Sequence, residues 1–244
     1  MYVTCLYDIY NSPDKLADYI KLFQPLVESG LNIHIYTSPE ISHHFKEYPT
    51  NIKIIEIPLN MLELYSLGIN SDAKLPDEIN KTKDTREYLS LMNTKVEFLS
   101  RSAEICEDKN LIWIDFAIFK LFKDHTKCIQ YLKDYSDYNF DKVNIPGCWY
   151  KGEALYLNAI HWRFCGSFLI VPRTLISRFF NDSKETFTQF LTNDGHIITW
   201  EINVWNHIEY YRGKDYIKWY YALHDDGMLV SLIENIDPWT GQKI

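Results

Sequence analysis

Leu111-Ile-Trp-Ile-Asp-Phe-Ala-Ile-Phe119 is an apolar run with a single acidic residue, Asp115, at its centre. Flanked by Asp108-Lys109-Asn110 and by Lys120, a run of this length reads as a buried strand. Burying a lone carboxylate among Ile, Trp and Phe costs several kcal/mol unless something cationic or hydrogen-bonding meets it. The run therefore predicts a partner for Asp115. That partner is either a metal ion at the carboxyl end of the strand, or a basic side chain or hydrogen-bonding backbone nearby.

The flanking chain places this strand in a sheet. Residues 2–9 are rich in β-branched and aromatic side chains and end in the loop signal Asp8-Ile-Tyr-Asn-Ser-Pro13, which predicts a first strand. Ser12 as cap and Pro13 as first residue open a predicted helix that runs to Gly30, with Pro25 placed to kink its last turn. Residues 31–36 and 51–57 read as further strands, with a short helix over 40–47 between them. Strand and helix alternating at this spacing predict a parallel sheet with helices on its faces.

Residues 59–84 carry a weaker pattern and predict surface helices and loops. A helix over 85–105, containing Lys95, feeds the Asp115 strand; a lysine on such a helix is ordinarily solvated. Beyond it come a helix at 127–135, a short strand at 142–145 and a strand over 161–172. Helices follow at 173–180 and 183–191, then one over 197–209 with Trp200, Val204, Trp205 and Ile208 on one face. A final strand and turn occupy 219–228. Gly166, inside the predicted 161–172 strand, marks either a bulge or the close approach of a ligand or another backbone. The expected fold is a single α/β domain whose mixed, mostly parallel sheet is flanked by helices.

At 244 residues with no Gly/Ser/Pro-rich linker, one domain is the default. A formal net charge of −8 argues against binding a nucleic-acid polymer, while leaving room for a local basic pocket for one nucleotide. The five cysteines (Cys5, Cys106, Cys128, Cys148, Cys165) are scattered and never in a CxxC pair, so they read as reduced thiols in a cytosolic-type compartment. No apolar stretch approaches the roughly 20 residues of a membrane span, and Met1-Tyr-Val-Thr-Cys5 enters a strand without a charged leader. A soluble, cytoplasmic protein is expected. Aromatic residues make up 16% of the chain and suit cores and sugar-binding surfaces alike.

The motifs of several enzyme classes are missing. There is no G-x-G-x-x-G after the first strand, no G-x-x-x-x-G-K-[ST] and no G-x-S-x-G, which weakens dehydrogenase, ATPase and hydrolase readings. Ligands of a parallel sheet bind beyond the carboxyl ends of its strands, here near Tyr7-Asp8, Tyr36-Thr37-Ser38 and Asp115. An acid at a strand end, followed by His224-Asp225 near the C-terminus, suits a divalent cation holding a diphosphate; a plain surface turn is the other reading of His224-Asp-Asp-Gly227. Glu201, beside Trp200 and near Trp205, can orient an acceptor hydroxyl or act as a base, or it is a helix carboxylate paired with a Lys or Arg.

Five blocks carry a resemblance: Val3-Thr4 through Tyr7-Asp8, Leu91-Met-Asn-Thr-Lys-Val-Glu-Phe-Leu99, Ile112-Trp-Ile-Asp-Phe-Ala-Ile118, Trp162-Arg-Phe-Cys-Gly-Ser-Phe168 and Thr199-Trp-Glu-Ile-Asn-Val-Trp205. In that order they resemble the HtrL/YibB family, which looks like a GT-A-type nucleotide-sugar glycosyltransferase. The resemblance implies a transfer from a nucleotide-sugar donor, UDP-linked by preference, to a glycan or glycoconjugate hydroxyl, with Mn²⁺ or Mg²⁺ as cofactor. A noncatalytic sugar- or nucleotide-sugar-binding protein on the same fold is the alternative. Asp115 then stands where the metal-binding Asp-x-Asp of such enzymes lies, with His224 and Asp225 completing the metal site. Lys95 falls near the donor phosphates, and Arg163 to Ser167, including Gly166, along the donor sugar. Thr4, Tyr7, Tyr36 and Trp113 are further candidates for donor contacts. Glu201 faces the reacting centre, with Asp194 as a second candidate catalytic carboxylate. Residues 1–120 form a nucleotide-binding half and 121–244 an acceptor half. Ala117 departs from the pattern, because it stands where many such enzymes carry the second Asp.

Overall fold

The computed structural model describes residues 1–149, 157–193 and 195–234. Among them, seven strands form one sheet: β1 (Tyr2–Leu6), β2 (Ile33–Thr37), β3 (Ile52–Glu56), β4 (Asn110–Ile114), β5 (Val143–Gly147), β6 (Phe168–Pro172) and β7 (Ile217–Tyr221). Their order is β3-β2-β1-β4-β6-β5-β7. β1, β2, β3 and β4 run parallel; β6 runs against both β4 and β5, and β7 is parallel to β5. The mixed, mostly parallel sheet expected above is therefore present, with β6 as the one reversed strand.

Helices α1 (Pro13–Glu28), α2 (Glu63–Ile69), α3 (Arg86–Asn93), α4 (Lys95–Glu104), α5 (His125–Tyr135), α6 (Ile176–Thr192), α7 (Glu201–Ile208) and α8 (Gly227–Glu234) complete the domain. Alternation along β4 explains the two-layer cover. Leu111 and Trp113 enter a core with Phe98 of α4, Phe179 of α6 and Trp205 of α7. Ile112 and Ile114 enter the opposite core with Phe23 of α1, Leu132 of α5 and Leu229 of α8. A strand buried on both faces reads as a continuous apolar run instead of an alternating one.

Several boundaries differ from the sequence reading, each for a local reason. β4 ends at Ile114, so Asp115 lies at the strand's end and not within it. Its N–H donates to the Ser167 carbonyl at 2.9 Å, and the chain then turns, with the Ile118 N–H reaching the Asp115 carbonyl at 3.0 Å. The apolar residues after the turn pack under α1, where Phe116 stacks on Phe23 at 4.1 Å. Their apolarity reports burial, which a turn supplies as well as a strand does. The predicted 85–105 helix breaks at Thr94, whose hydroxyl bonds the Ser90 carbonyl at 2.9 Å while Asn93 reaches the carbonyls of Leu89 and Thr199. That break makes Lys95 the first residue of α4. Only Phe168–Pro172 of the predicted 161–172 strand is extended, and the two helices expected over 173–191 are one, α6, after a short 3₁₀ turn at Arg173–Leu175. α1 continues through Pro25, with Ser12 at its N-cap.

These directions set up one edge. The carboxyl ends of β1, β4, β5 and β7 and the amino end of β6 all face the same side of the sheet. No helix of the described residues is long and apolar enough to cross a membrane.

Gly147, closing β5, is fixed by space: a Cβ there would lie 1.7 Å from the Arg163 carbonyl oxygen. Gly30 is fixed by backbone, at φ +76° with nothing within 4 Å. Gly147→Ala should cost about 3 kcal/mol or more by overpacking against backbone, and Gly30→Ala about 1 kcal/mol. Urea unfolding checks the ranking; equal losses would mean that the Arg163 segment yields to the added methyl.

Candidate functional site

A cavity of about 220 Å³ opens at this shared edge. Tyr7 follows β1, Asp115 follows β4, Ser167 precedes β6 and His224 follows β7; Lys95 enters from the start of α4 and Glu201 from the start of α7. Tyr10, Tyr88 and Trp162 add aromatic walls, and Lys83 and Lys120 also line it.

Lys95 organises the floor. Its Nζ donates to the Gly166 carbonyl at 2.8 Å and to Glu201 Oε1 at 2.8 Å, and lies 3.0 Å from Asp115 Oδ1. An ammonium has three N–H groups, and here each has an acceptor. Trp113 Nε1 donates to the same Asp115 oxygen at 2.8 Å, and its ring lies 5.5 Å from the ammonium. The side chain of Lys95 is only 2% exposed, whereas that of Asp115 is 34% exposed on the cavity side. A lysine at a helix N-terminus opposes the helix dipole, so the two carboxylates offset an unfavourable field as well as the desolvation of the ammonium. Gly166 makes the contact sterically possible: a Cβ there would lie 2.1 Å from Glu201 Oε1. The close approach at this glycine is that of the Glu201 side chain.

The electrostatics follow from this geometry. Burial pushes the Asp115 carboxyl up, but the Lys95 charge and hydrogen bonds from Trp113, Lys95 and Ser167 outweigh it and hold Asp115 below the usual carboxylate value. Burial likewise pulls Lys95 down, and the charges of Asp115 and Glu201 reverse it, so this ammonium is held more tightly than an exposed one. His224, whose Nε2 is 2.9 Å from Ser167 Oγ, is lowered by burial and by Lys95, Lys120 and Lys83, against the pull of Asp115. This environment favours the neutral imidazole.

Seven of the expected site residues meet at this cavity: Tyr7, Trp113 and Asp115 from the strand ends, with Lys95, Gly166, Glu201 and His224 around them. Others lie elsewhere. Thr4 is buried within β1, and its hydroxyl has no hydrogen-bond partner among the described residues. The Tyr36 hydroxyl is 3.0 Å from Ser102 Oγ and its ring is against Phe98 in the core. Arg163 is turned to Glu209, at 2.8 and 2.6 Å, and lies 4.3 Å over the Trp219 ring. Asp225 Oδ1 accepts the Gly227 N–H at 2.8 Å, as a turn residue does. Asp194 lies outside the described residues.

Of the expected metal ligands, Asp115 and His224 both line the cavity while Asp225 is turned to Gly227, and no group of three His, Cys, Asp or Glu side chains that could hold a metal occurs among the described residues. The reason is chemical as well as geometric. Of the two partners foreseen for Asp115, the basic side chain is present, and an ammonium 3.0 Å from a carboxylate opposes any further cation there. With Ala117 in place of a second carboxylate, the motif offers a metal a single carboxylate already paired with Lys95, and the described residues supply no three-residue ligand set around it. Sequence reading also passed over Lys83 and Lys120. The only signal for them was position, one just before α3 and one just after the apolar run.

No protein-family model matches the sequence, and no curated protein matches it either. Among solved structures, the galactosyltransferase LgtC in complex with donor and acceptor sugar analogs has a TM-score of 0.51 at 10% identity, covering 89% of this chain and 72% of that one. The chain has a GT-A-like fold. An active-site mutant of LgtC is similar at TM-score 0.45 and 12% identity, over 89% of this chain and 71% of that one. The glycosyltransferase GlyE of Streptococcus pneumoniae gives 0.42 and 8%, over 90% of this chain and 44% of that one. At such identities the likeness to LgtC establishes the fold.

Lys95→Met leaves Asp115 and Glu201 facing each other without a cation and should cost about 3–5 kcal/mol in urea unfolding; adding Asp115→Asn and Glu201→Gln should restore part of it. Because the folded-state pKa of Asp115 is depressed, its contribution is present above the unfolded value of about 3.9 and is lost as pH falls through the lower folded value. Asp115→Asn should therefore flatten the loss of stability as pH falls below about 5. An unchanged acid limb would place the acid sensitivity in other carboxylates.

Proposed function

We propose that this protein is a glycosyltransferase that moves a sugar from a nucleotide-diphosphate-sugar donor, UDP-linked by preference, to a hydroxyl of a glycan or glycoconjugate. The observation that carries the reading is the position of the Asp115–Lys95–Glu201 group: it sits in a cavity at the carboxyl edge of a GT-A-like sheet, where ligands of such sheets bind. The resemblance of the Trp113-Ile-Asp115 and Trp200-Glu-Ile-Asn-Val-Trp205 blocks to the HtrL/YibB family supports the same class.

In the transfer, the bond between the anomeric carbon and the diphosphate oxygen breaks, its electron pair leaving with the diphosphate. A bond forms from the acceptor oxygen, which loses its proton. Tyr7 and the first 120 residues serve the donor, and the remainder serves the acceptor. Glu201 faces the reacting centre, its carboxylate held by Lys95 in one orientation, so that it positions the acceptor hydroxyl or receives its proton. Trp162 and the cavity tyrosines offer flat faces for a sugar ring. No step is assigned to a metal.

The test is a panel of UDP- and GDP-sugars, each with and without Mn²⁺, followed by donor hydrolysis and by melting temperature. At least one donor should be hydrolysed and should raise the melting temperature, and Glu201→Gln should cut turnover by about 100-fold or more. A folded protein that neither binds nor cleaves any donor would sink the proposal. Cleavage of nucleotides carrying no sugar would replace it with a phosphoryl-transfer reading, and glycan binding indifferent to nucleotide would replace it with a noncatalytic one.

A further inference from the structure

Lys83 and Lys120 line the cavity but stand outside the Lys95 group, and both are exposed. The lysines engaged in ion pairs among the described residues are Lys95, Lys127 and Lys184, so neither of these two is neutralised by a carboxylate there. Lys83 is placed by its surroundings: its carbonyl accepts the Tyr10 hydroxyl at 3.1 Å, and its Nζ lies 4.9 Å from the centre of the Tyr88 ring. Lys120 closes the 3₁₀ turn that follows Asp115. Lys83 is thus tied to the segment after β1 and to α3, and Lys120 to the turn after β4.

The cavity lining holds three ammonium groups against two carboxylates. It keeps a surplus positive charge in a protein whose formal net charge is −8. A cationic recess on an anionic surface selects an anion and concentrates it there. Lysine binds phosphate as a mobile point charge, which suits a diphosphate whose charge is spread over several oxygens.

The residues themselves disfavour the metal route to the same end. The Asp115 oxygen that faces the floor already meets Lys95 and Trp113; Ala117 supplies no second carboxylate; Asp225 is turned to Gly227. Lys95 cannot swing clear, because Gly166 and Glu201 hold its remaining hydrogens and it is fully packed.

We propose that the donor diphosphate is held and neutralised by Lys83 and Lys120, with Lys95 standing at Asp115 in place of a divalent cation, so that donor binding requires no metal. The inference rests on the donor reading above. When the bond from the sugar to the diphosphate breaks, the leaving oxygen takes the electron pair, and the two free ammonium groups meet the charge it gains.

Calorimetric titration of the full chain with UDP and with inorganic pyrophosphate, first in EDTA and then with excess Mn²⁺, tests it. Both ligands should bind in EDTA, with affinity changed less than about threefold by Mn²⁺, and should weaken as salt is raised. Lys83→Met and Lys120→Met should each weaken pyrophosphate about tenfold, as loss of a charged hydrogen bond does, while Lys53→Met, outside the cavity, leaves it unchanged. All three are exposed positions, so melting temperatures should stay within about 2 °C and a folding defect would be visible separately. Binding only with Mn²⁺ would overturn the inference and leave the transferase proposal standing. Metal-free binding indifferent to both lysine substitutions would overturn the assignment of the two lysines. No binding of UDP, pyrophosphate or any nucleotide sugar under either condition would remove the donor reading and this inference with it.

Discussion

The buried ammonium of Lys95 and its three acceptors tie together parts of the chain that are far apart in sequence. The Asp115 carboxylate comes from the end of β4, the Gly166 carbonyl from the approach to β6, and the Glu201 carboxylate from the start of α7. A charge taken out of water is tolerated only when its partners are in place, and each partner here is itself charged or polar and partly desolvated. None of the four can move without stranding another. Gly166 belongs to the same constraint, because any larger residue would displace the carboxylate that Lys95 needs.

Strand direction decides where this group sits. Had β6 run parallel to β4, its amino end and the Gly166-Ser167 segment would lie at the opposite edge. Running antiparallel, it delivers Gly166 and Ser167 beside Asp115, and the Asp115 N–H closes the junction on the Ser167 carbonyl. The break at Thr94 does the equivalent work on the helical side, since a continuous helix would keep Lys95 in mid-turn and not at the end that points into the cavity. Trp113 connects one core to the cavity: its ring is packed against Phe98 while its N–H reaches the carboxylate at the cavity floor.

Part of this was legible in the chain itself. The burial of β4, the order of strands and helices through residue 57, and the need for a partner at Asp115 all follow from composition and periodicity. Glu201 paired with a lysine was one of two readings open from the sequence, and the Lys95 contact is that reading realised. Less legible were the end of β4, where apolar residues continue into a buried turn, and the division at Thr94, which rests on side chains bonding to carbonyls. Tyr36 and Arg163 stand at plausible positions in the chain, but their side chains are drawn to Ser102 and Glu209. Linear order cannot show which way a side chain turns.

What the sequence determined by itself was a requirement: an acid at the end of an apolar strand must be compensated, and the chain contains both a candidate lysine and candidate metal ligands. Only the tertiary structure decided which compensates it. That choice depends on distances to residues 20, 51 and 86 positions away from Asp115, fixed by how β6 and α7 pack against β4. Electrostatic partnership falls steeply with separation, so a contact of 3.0 Å selects Lys95 where spacing along the chain could not.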